Sequence, residues 1–264
     1  MIIGKSKREL EKMRAAGRLV ALVREELRRM VRPGVTTLEL DMAAEKMIRD
    51  AGALPTFKGY HGFPFSICAS VNEQVVHGFP SAYELREGDI FSLDCGVTLG
   101  GFVGDTATTV PVGRVDEDRL KLIRVAEECL ERAIQQCRPG RHLGDLGWAV
   151  QELAEAHGYG IVRDYVGHGI GRKMHEDPQI PNYGKPGTGI KIRSGYVFAI
   201  EPMLNMGTHK TKTLKDGWTV VTLDGRPSAH VEHTVAVTED GPEVLTRLAE
   251  AAEPYPQQAA PASA

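Results

Sequence analysis

The chain has 264 residues, of which 42% are hydrophobic, and a formal net charge of −3. This charge excludes the strongly basic surface of a general nucleic-acid-binding protein, and the length fits one large domain or two small ones. No stretch approaches the roughly 20 apolar residues of a membrane-spanning helix. The polar start MIIGKSKRELEKM is unlike a signal peptide, and the four cysteines lack the spacing of a metal site or disulfide framework. We therefore expect a cytoplasmic protein with reduced cysteines.

Two capped helices open the chain. Ser6 and Glu9 form a capping box, apolar residues follow at helical spacing, and the sequence RPG at 32–34 ends the helix. A second capping box at Thr36 begins a helix that ends at Gly52. The short β-branched and aromatic runs that follow, interrupted by glycine and proline, predict strands and turns up to about residue 110.

The second part of the chain repeats this order. Periodic apolar residues predict helices at about 117–136 and 143–156, and another RPG sequence, at 138–140, separates them. Strand-like segments dominate again from about 160 to 238. The composition of the last residues, 251–264, is typical of a disordered Pro/Ala-rich tail.

One strand motif occurs twice. The sequences LREGDIFSLD and IRSGYVFAIE share their layout, and each predicts a buried strand that ends on an acid, Asp94 or Glu201. The same offset, 107 positions, relates the His-Gly pairs that begin at His61 and His168. We interpret the chain as two similar α+β halves that face each other across a groove, where a site is expected. The predicted organisation is one catalytic domain over 1–250, with halves at about 5–112 and 113–245.

Five polar residues at matched places form a candidate metal site: Asp94, Asp105, His168, Glu201 and Glu232. A Gly-rich turn between Asp94 and Asp105 predicts a hairpin, on which two acids can share one face. Carboxylates and one imidazole suit divalent Mn, Fe or Co, and four negative charges suit two ions about 3.5–4 Å apart. Taken singly, Asp105 reads as a turn residue, Glu201 as a solvated edge and His168 as a loop histidine. Only the placement of all five residues together favours a metal site.

Two further histidines, His77 in VVHGFP and His175 in RKMHEDP, are candidates for work on a substrate carbonyl. The alternative for both is an exposed histidine or one that merely supports the site. His61 is left as a structural or pocket-lining residue.

The motifs NEQVVHGFP, FSLDCG, GDTATTVPVG, YVGHGIGRKMHEDP, FAIEPM and DGWTVVTLDGRPSAHVEHTVAVT together resemble type I methionine aminopeptidases. The resemblance runs from about Lys5 to Val244. It implies the pita-bread fold of two pseudo-symmetric α+β halves, with antiparallel strands in a central curved sheet and helices outside. It also implies removal of the initiator methionine from nascent chains, with preference for a small second residue.

The resemblance implies two divalent ions, Co, Mn or Fe. Asp94, Asp105 and Glu232 would bind one, and Asp105 and Glu232 would bridge to the second, which His168 and Glu201 complete. A bridging water or hydroxide would attack the carbonyl of the first residue, and Glu201 would pass its proton to the leaving amine.

Further roles follow from the same resemblance. His175 would stabilise the tetrahedral intermediate, and His77 would hold the scissile amide. The methionine pocket would comprise Tyr60, Phe63, Cys68, Met174 and Trp218, which without the family would simply be core. Met174 and Phe63 depart from the residues of many relatives, which predicts an altered pocket shape. A monovalent cation, Na or K, would bind at Asn72 and Ser228.

Two rivals stay open: a proline-directed peptidase of the prolidase or aminopeptidase P type, and a non-catalytic binding protein of the same fold. The short spacing of 31 between Glu201 and Glu232 argues against a type II insertion. The resemblance implies a monomer with no membrane partner. The basic loop with Lys210, Lys212 and Lys215 is expected either to contact ribosomal RNA near the exit tunnel or to be solvated.

Overall fold

The computed structural model describes residues 2–248, so the predicted tail at 251–264 lies outside the described residues. All four predicted helices are confirmed within this range. They are α1 (Lys7–Met30), α2 (Thr37–Asp50), α3 (Glu117–Gln136) and α4 (Leu143–Ala156). Both predicted capping boxes are present, Ser6 with Glu9 on α1 and Thr36 with Glu39 on α2.

The remaining described chain is rich in strands. They are β1 (Leu54–Pro55), β2 (Ile67–Val71), β3 (Gln74–Val76), β4 (Ile90–Leu99), β5 (Phe102–Pro111), β6 (Gly160–Ile161), β7 (Gly167–Gly169), β8 (Glu176–Ile180), β9 (Val197–Ile200), β10 (Met203–Asn205), β11 (Thr211–Thr213), β12 (Val220–Thr222), β13 (Ser228–His230), β14 (Glu232–Thr238) and β15 (Gly241–Val244). A 3-10 turn, Tyr60–Gly62, precedes β2.

The strands form one large antiparallel sheet and two small ones. The large sheet has nine strands in the order β1-β4-β5-β14-β9-β7-β8, with β2 on β4 and β15 on β14. The small sheets have the orders β13-β10-β6 and β11-β12-β3. In the large sheet, strands of the first half meet strands of the second half where β5 pairs with β14. A small sheet also joins the halves, because β3 pairs with β12.

The helices cover the large sheet because each presents an apolar face. On α1, residues such as Leu10, Met13 and Leu27 are buried, and the helix packs on β4 and β5. In the second half, α3 packs on α4 through buried residues that include Cys129 and Leu130. Each such side chain contributes about 1.5–3 kcal/mol when removed from water. Among residues 2–248, none of the helices is both long and apolar enough to span a bilayer.

The strand that was predicted to end at Asp94 continues for five more residues. Asp94 lies in the middle of β4, whereas Glu201 directly follows the end of β9, as expected. The prediction of a strand end at Asp94 is therefore wrong. The strand continues because β4 and β5 form an unbroken ladder around the Leu99–Phe102 turn, in which Asp94 pairs with Ala107.

Candidate metal centre and substrate cleft

One cavity of about 400 Å³ gathers all the side chains that were predicted as metal ligands, catalytic groups or methionine pocket. They are Tyr60, Phe63, Cys68, His77, Asp94, Asp105, His168, Met174, His175, Glu201, Trp218 and Glu232. A larger cavity, of about 880 Å³, lies between α1, α3 and the other face of the sheet and is lined by none of these residues. Size alone would have selected the wrong cavity, and the chemistry of the lining identifies the smaller one.

The candidate ligands come from strands of both halves. Asp94 and Asp105 share one face of the β4–β5 hairpin, because Asp94 pairs with Ala107, two residues beyond Asp105. Glu232 begins β14 and also pairs with Ala107. One ligand atom each from Asp105, His168 and Glu232 lies within 4.8 Å of the others.

His168 is oriented for binding a metal. Its Nδ1 lies 2.9 Å from the carbonyl oxygen of Gly169, which can only accept, so Nδ1 carries the proton. The lone pair is then on Nε2, which lies 3.7 Å from Asp105 Oδ2 and 3.6 Å from Glu201 Oε1. A backbone carbonyl that fixes the tautomer in this way is typical of a metal-binding histidine.

The carboxylates are buried without enough partners. One oxygen each of Asp94, Asp105 and Glu232 has no hydrogen-bond partner among the described residues. Burial raises the pKa of Asp94 to about 7, with the charge of Glu201 adding to the rise. Burial and the neighbouring carboxylates raise the pKa of Asp105 and of Glu232 well above their ordinary values. Either protons or cations must neutralise such a cluster, and oxygen and imidazole donors with free lone pairs fit divalent cations.

Two threonines hold the backbone of the facing ligands. Thr234 Oγ1 accepts from the amide of Asp105 at 3.1 Å and donates to its carbonyl at 2.8 Å. In return, Thr106 Oγ1 donates to the carbonyl of Glu232 at 2.9 Å. Each strand at the β5–β14 junction thus fixes the backbone of the acid on the other strand.

The two candidate catalytic histidines have imidazoles that are neutral near pH 7. Burial lowers the pKa of His77, and burial together with nearby His168 lowers the pKa of His175 to about 4. The hydroxyl of Tyr60 lies 2.8 Å from His175 Nδ1. When Tyr60 donates, the ring proton of His175 is on Nε2, which makes this nitrogen a donor towards bound substrate.

The rest of the cavity is apolar. The ring of Phe63 packs edge-on against Trp218 at 5.1 Å and Phe79 at 5.4 Å between centroids. Met174 and Cys68 are buried beside them in the same hydrophobic cluster. Burial and the charge of Asp94 raise the pKa of Cys68, so its thiol stays neutral. Polarizable sulfur and aromatic groups suit a thioether side chain.

Three residues of the cavity were not among the predicted site residues: Phe57, His61 and His230. His61, left as structural or pocket-lining, does line it. His230 is buried, its Nε2 has no hydrogen-bond partner among residues 2–248, and this nitrogen lies 3.7 Å from Glu201 Oε2. A signal existed in the sequence, because His230 precedes Glu232 by two positions, and alternation along an extended segment places both on one face.

The remaining candidates lie outside the cavity. Asn72 has a left-handed φ of 53°, its side chain bonds to Asp89 and to the amide of Ile90, and its carbonyl accepts from the Ser228 amide at 2.9 Å. Asn72 and Ser228 are therefore neighbours, and cation binding there stays a prediction. The loop that carries Lys210, Lys212 and Lys215 is exposed on and around β11.

Comparison with known proteins gives consistent matches. The sequence model of metallopeptidase family M24 matches residues 11–239. A methionine aminopeptidase of Clostridium perfringens is 53% identical over 94% of this chain and 100% of its own length. Methionine aminopeptidase 1 of Bacillus subtilis is 52% identical over the same shares.

Solved structures are consistent with these sequence matches. The crystal structure of a methionine aminopeptidase from Thermotoga maritima has a TM-score of 0.92 and 46% identity, and the match covers 94% of this chain and 100% of that one. A prolidase from Pyrococcus horikoshii matches with a TM-score of 0.76 at 20% identity over 95% of this chain but only 65% of its own. That second likeness shows the fold alone. The pita-bread α+β fold expected from the sequence is confirmed.

Proposed function

The chain belongs to metallopeptidase family M24 and, within it, to the methionine aminopeptidases, and on that premise we propose that acids of both halves hold two divalent ions for removal of the initiator methionine. The observation that carries the proposal is the group of buried carboxylates with unpartnered oxygens beside an apolar, sulfur-lined pocket. The first feature favours bound cations, and the second fits a methionine side chain. The prolidase-type and non-catalytic alternatives are not favoured.

Asp94, Asp105 and Glu232 would hold one ion, and His168 and Glu201 would complete the second, with Asp105 and Glu232 shared. Two such ions, Mn, Fe or Co, would supply Lewis acidity that lowers the pKa of water and polarises the first peptide carbonyl. The central position of Asp105 and Glu232 supports the shared role, because their ligand atoms and that of His168 are mutually within 4.8 Å.

Glu201 is suited to carry protons. Its side chain retains 14% exposure, more than the neighbouring acids, and stands beside His168 and His230. From this position the carboxylate would accept a proton from the attacking water and deliver it to the leaving amine. His175, held by Tyr60, would donate from Nε2 to the oxygen that develops negative charge, and His77 would hold the scissile amide.

The pocket of Phe63, Trp218, Met174 and Cys68 would receive the methionine side chain. Met174 is more flexible than an aromatic residue, so we propose a pocket that adapts its shape rather than one that is lost. A small second residue would be preferred.

The wider setting is proposed on the same basis. We interpret residues 1–250 as one catalytic domain of two halves that works as a monomer in the cytoplasm on emerging nascent chains. Lys210, Lys212 and Lys215 would contact ribosomal RNA, and Asn72 with Ser228 would bind Na or K.

Hydrolysis of Met-Ala-Ser, Leu-Ala-Ser and Ala-Pro peptides, each assayed with Mn, Fe and Co, tests the proposal. We expect methionine release from the first peptide only, abolished in Asp105→Asn. The matched control is Asp240→Asn, which makes the same change on an exposed turn and should retain activity. Preferred cleavage of Ala-Pro would support the prolidase-type alternative. A wild-type protein that neither binds metal nor hydrolyses any peptide would be a binding protein.

A further inference from the structure

A buried arginine lies behind the sheet, on the side away from the carboxylates. Arg24 belongs to α1 and is 8% exposed, at the wall of the larger cavity. Along β5, successive side chains point to opposite faces. Because Asp105 lines the substrate cleft, Thr106 points back towards α1, where it meets Arg24.

A directed relay of hydrogen bonds connects this arginine to a proposed metal ligand. Arg24 Nη1 lies 2.6 Å from Thr106 Oγ1, and a guanidinium can only donate. The hydroxyl must therefore accept from Arg24, and its single proton is free for the carbonyl of Glu232 at 2.9 Å. Bonds aligned in this way polarise and strengthen one another.

The relay lies at a short ladder of the sheet. The β4–β5 ladder has ten residue pairs, whereas β5 and β14 share two, Glu232 with Ala107 and Thr106 with His233. The two strands that these pairs join present Asp105 and Glu232 to the same proposed ions. With so short a ladder, the separation of the two carboxylates depends on the threonine clamps. Thr234 secures one side, and Thr106, set by Arg24, secures the other. Thr109 on β5 adds a third clamp, on the backbone of His230.

Arg24 differs from its neighbours on the same helix. Arg28 and Arg29 are half exposed and pair with Glu25 and Glu26 one turn earlier, as ordinary surface ion pairs do. Arg24 instead is buried, contacts Glu25 only at 3.3 Å, and makes its short bond to Thr106. A buried guanidinium is costly to desolvate, and an apolar residue could fill the space.

We infer that Arg24 is a positioning residue: through Thr106 it fixes the backbone of Glu232, so that Asp105 and Glu232 stand at metal-binding separation. The inference rests on the proposed metal site. Arg24 would then control metal affinity from α1, although it touches neither substrate nor metal.

Calorimetric titration of metal-free protein with Mn²⁺ tests the relay, alongside thermal unfolding without metal. Arg24→Met removes the donors at similar volume, and Thr106→Val removes only the hydroxyl. Both should weaken Mn²⁺ binding about tenfold, the lower end of the effect of removing a group that orients metal ligands. Thr106→Ser keeps the hydroxyl and Arg29→Met alters an exposed arginine of the same helix, so both should bind Mn²⁺ as the wild type does. The double variant of Arg24→Met and Thr106→Val should bind no more weakly than Thr106→Val alone.

Failure of the metal site and failure of the relay give different results. Wild-type protein that binds no Mn²⁺ would overturn the proposed metal site itself. Wild-type binding with unchanged affinity in either Arg24→Met or Thr106→Val would overturn the relay and leave the site intact. A lower melting temperature without a change in affinity would assign Arg24 a purely structural role. If Arg24→Met does not fold, the contrast between Thr106→Val and Thr106→Ser still decides whether the Thr106 hydroxyl controls Mn²⁺ affinity, and equal affinities would overturn the relay.

Discussion

Replacing Asp94 by asparagine should stabilise the metal-free protein at alkaline pH, although it removes a proposed metal ligand. Burial raises the pKa of Asp94 from 3.8 to about 7, so the ionised carboxylate is unfavourable in the folded state. Asparagine has nearly the same shape and no charge. Its presence would also relieve Asp105 and Glu232, whose pKa values are raised by burial and in part by the charge of Asp94.

The magnitude follows from linkage between protonation and folding. The folded-state pKa of Asp94 lies above the unfolded-state value, so the folded protein favours the protonated carboxyl group. The contribution of this group to the free energy of unfolding is therefore fully present below pH 3.8 and is lost as the pH rises through about 7. At about 1.4 kcal/mol per pKa unit, the full loss is about 4 kcal/mol. Of this, about 3 kcal/mol falls between pH 5 and pH 8.

Urea unfolding of EDTA-treated protein, followed by circular dichroism at both pH values, measures the effect. The free energy of unfolding of Asp94→Asn should gain about 3 kcal/mol on that of the wild type between pH 5 and pH 8. Asp240→Asn, an exposed change of the same kind, should follow the wild type at both pH values. Saturating Mn²⁺ should reverse the order, because only the wild type would gain metal-binding energy. Parallel pH profiles for Asp94→Asn and the wild type would refute the account of a strained carboxylate cluster.

Three further predictions concern the cleft and its border. Tyr60→Phe removes the hydrogen bond to His175. Steady-state kinetics should show kcat lowered about tenfold, which is equivalent to the loss of one hydrogen bond of ~1.4 kcal/mol. An unchanged kcat would exclude a role of Tyr60 in orienting His175. Phe63→Ala opens the methionine pocket and should raise KM for Met-Ala-Ser more than it lowers kcat. Urea unfolding should show a free energy of unfolding lower by about 3–5 kcal/mol. An unchanged KM would mean that the methionine side chain binds elsewhere. Burial tends to raise the pKa of Glu176, but its bond to Lys5 at 2.6 Å and two backbone amides lower this pKa overall. The stability that the ionised carboxylate contributes should therefore be fully present above pH 4.5 and be lost as the pH falls through the lowered pKa. Glu176→Gln removes the negative charge beside the largely buried Lys5 and should cost about 2–3 kcal/mol at pH 7. A stability equal to wild type would show that the ion pair contributes nothing.

The helices could be predicted from the sequence because their ends are encoded locally. Ser6 with Glu9 and Thr36 with Glu39 form capping boxes, and an RPG sequence lies just beyond the end of α1 and of α3. These signals act within four residues and need no tertiary contacts. The repeat added long-range information, since two copies of one strand motif placed Asp94 and Glu201 in a common groove.

The features that sequence reasoning missed depend on pairing across the sheet. Asp94 was expected at a strand end because an acid interrupts an apolar run, yet the ladder with β5 carries the strand through to Leu99. His230 alternates with Glu232, but this signal is weak where strands are three residues long. The relay of Arg24 and Thr106 joins residues 82 positions apart, and no local pattern predicts which helix position meets which strand position.

The central claim is that one groove between the two halves holds a pair of ions, and anomalous diffraction from crystals grown with Mn²⁺ tests it most directly. Two peaks about 3.5–4 Å apart are predicted. One should lie against Asp94 and the other against His168 and Glu201, with Asp105 and Glu232 between them. A single peak, or peaks away from these five side chains, would contradict the claim.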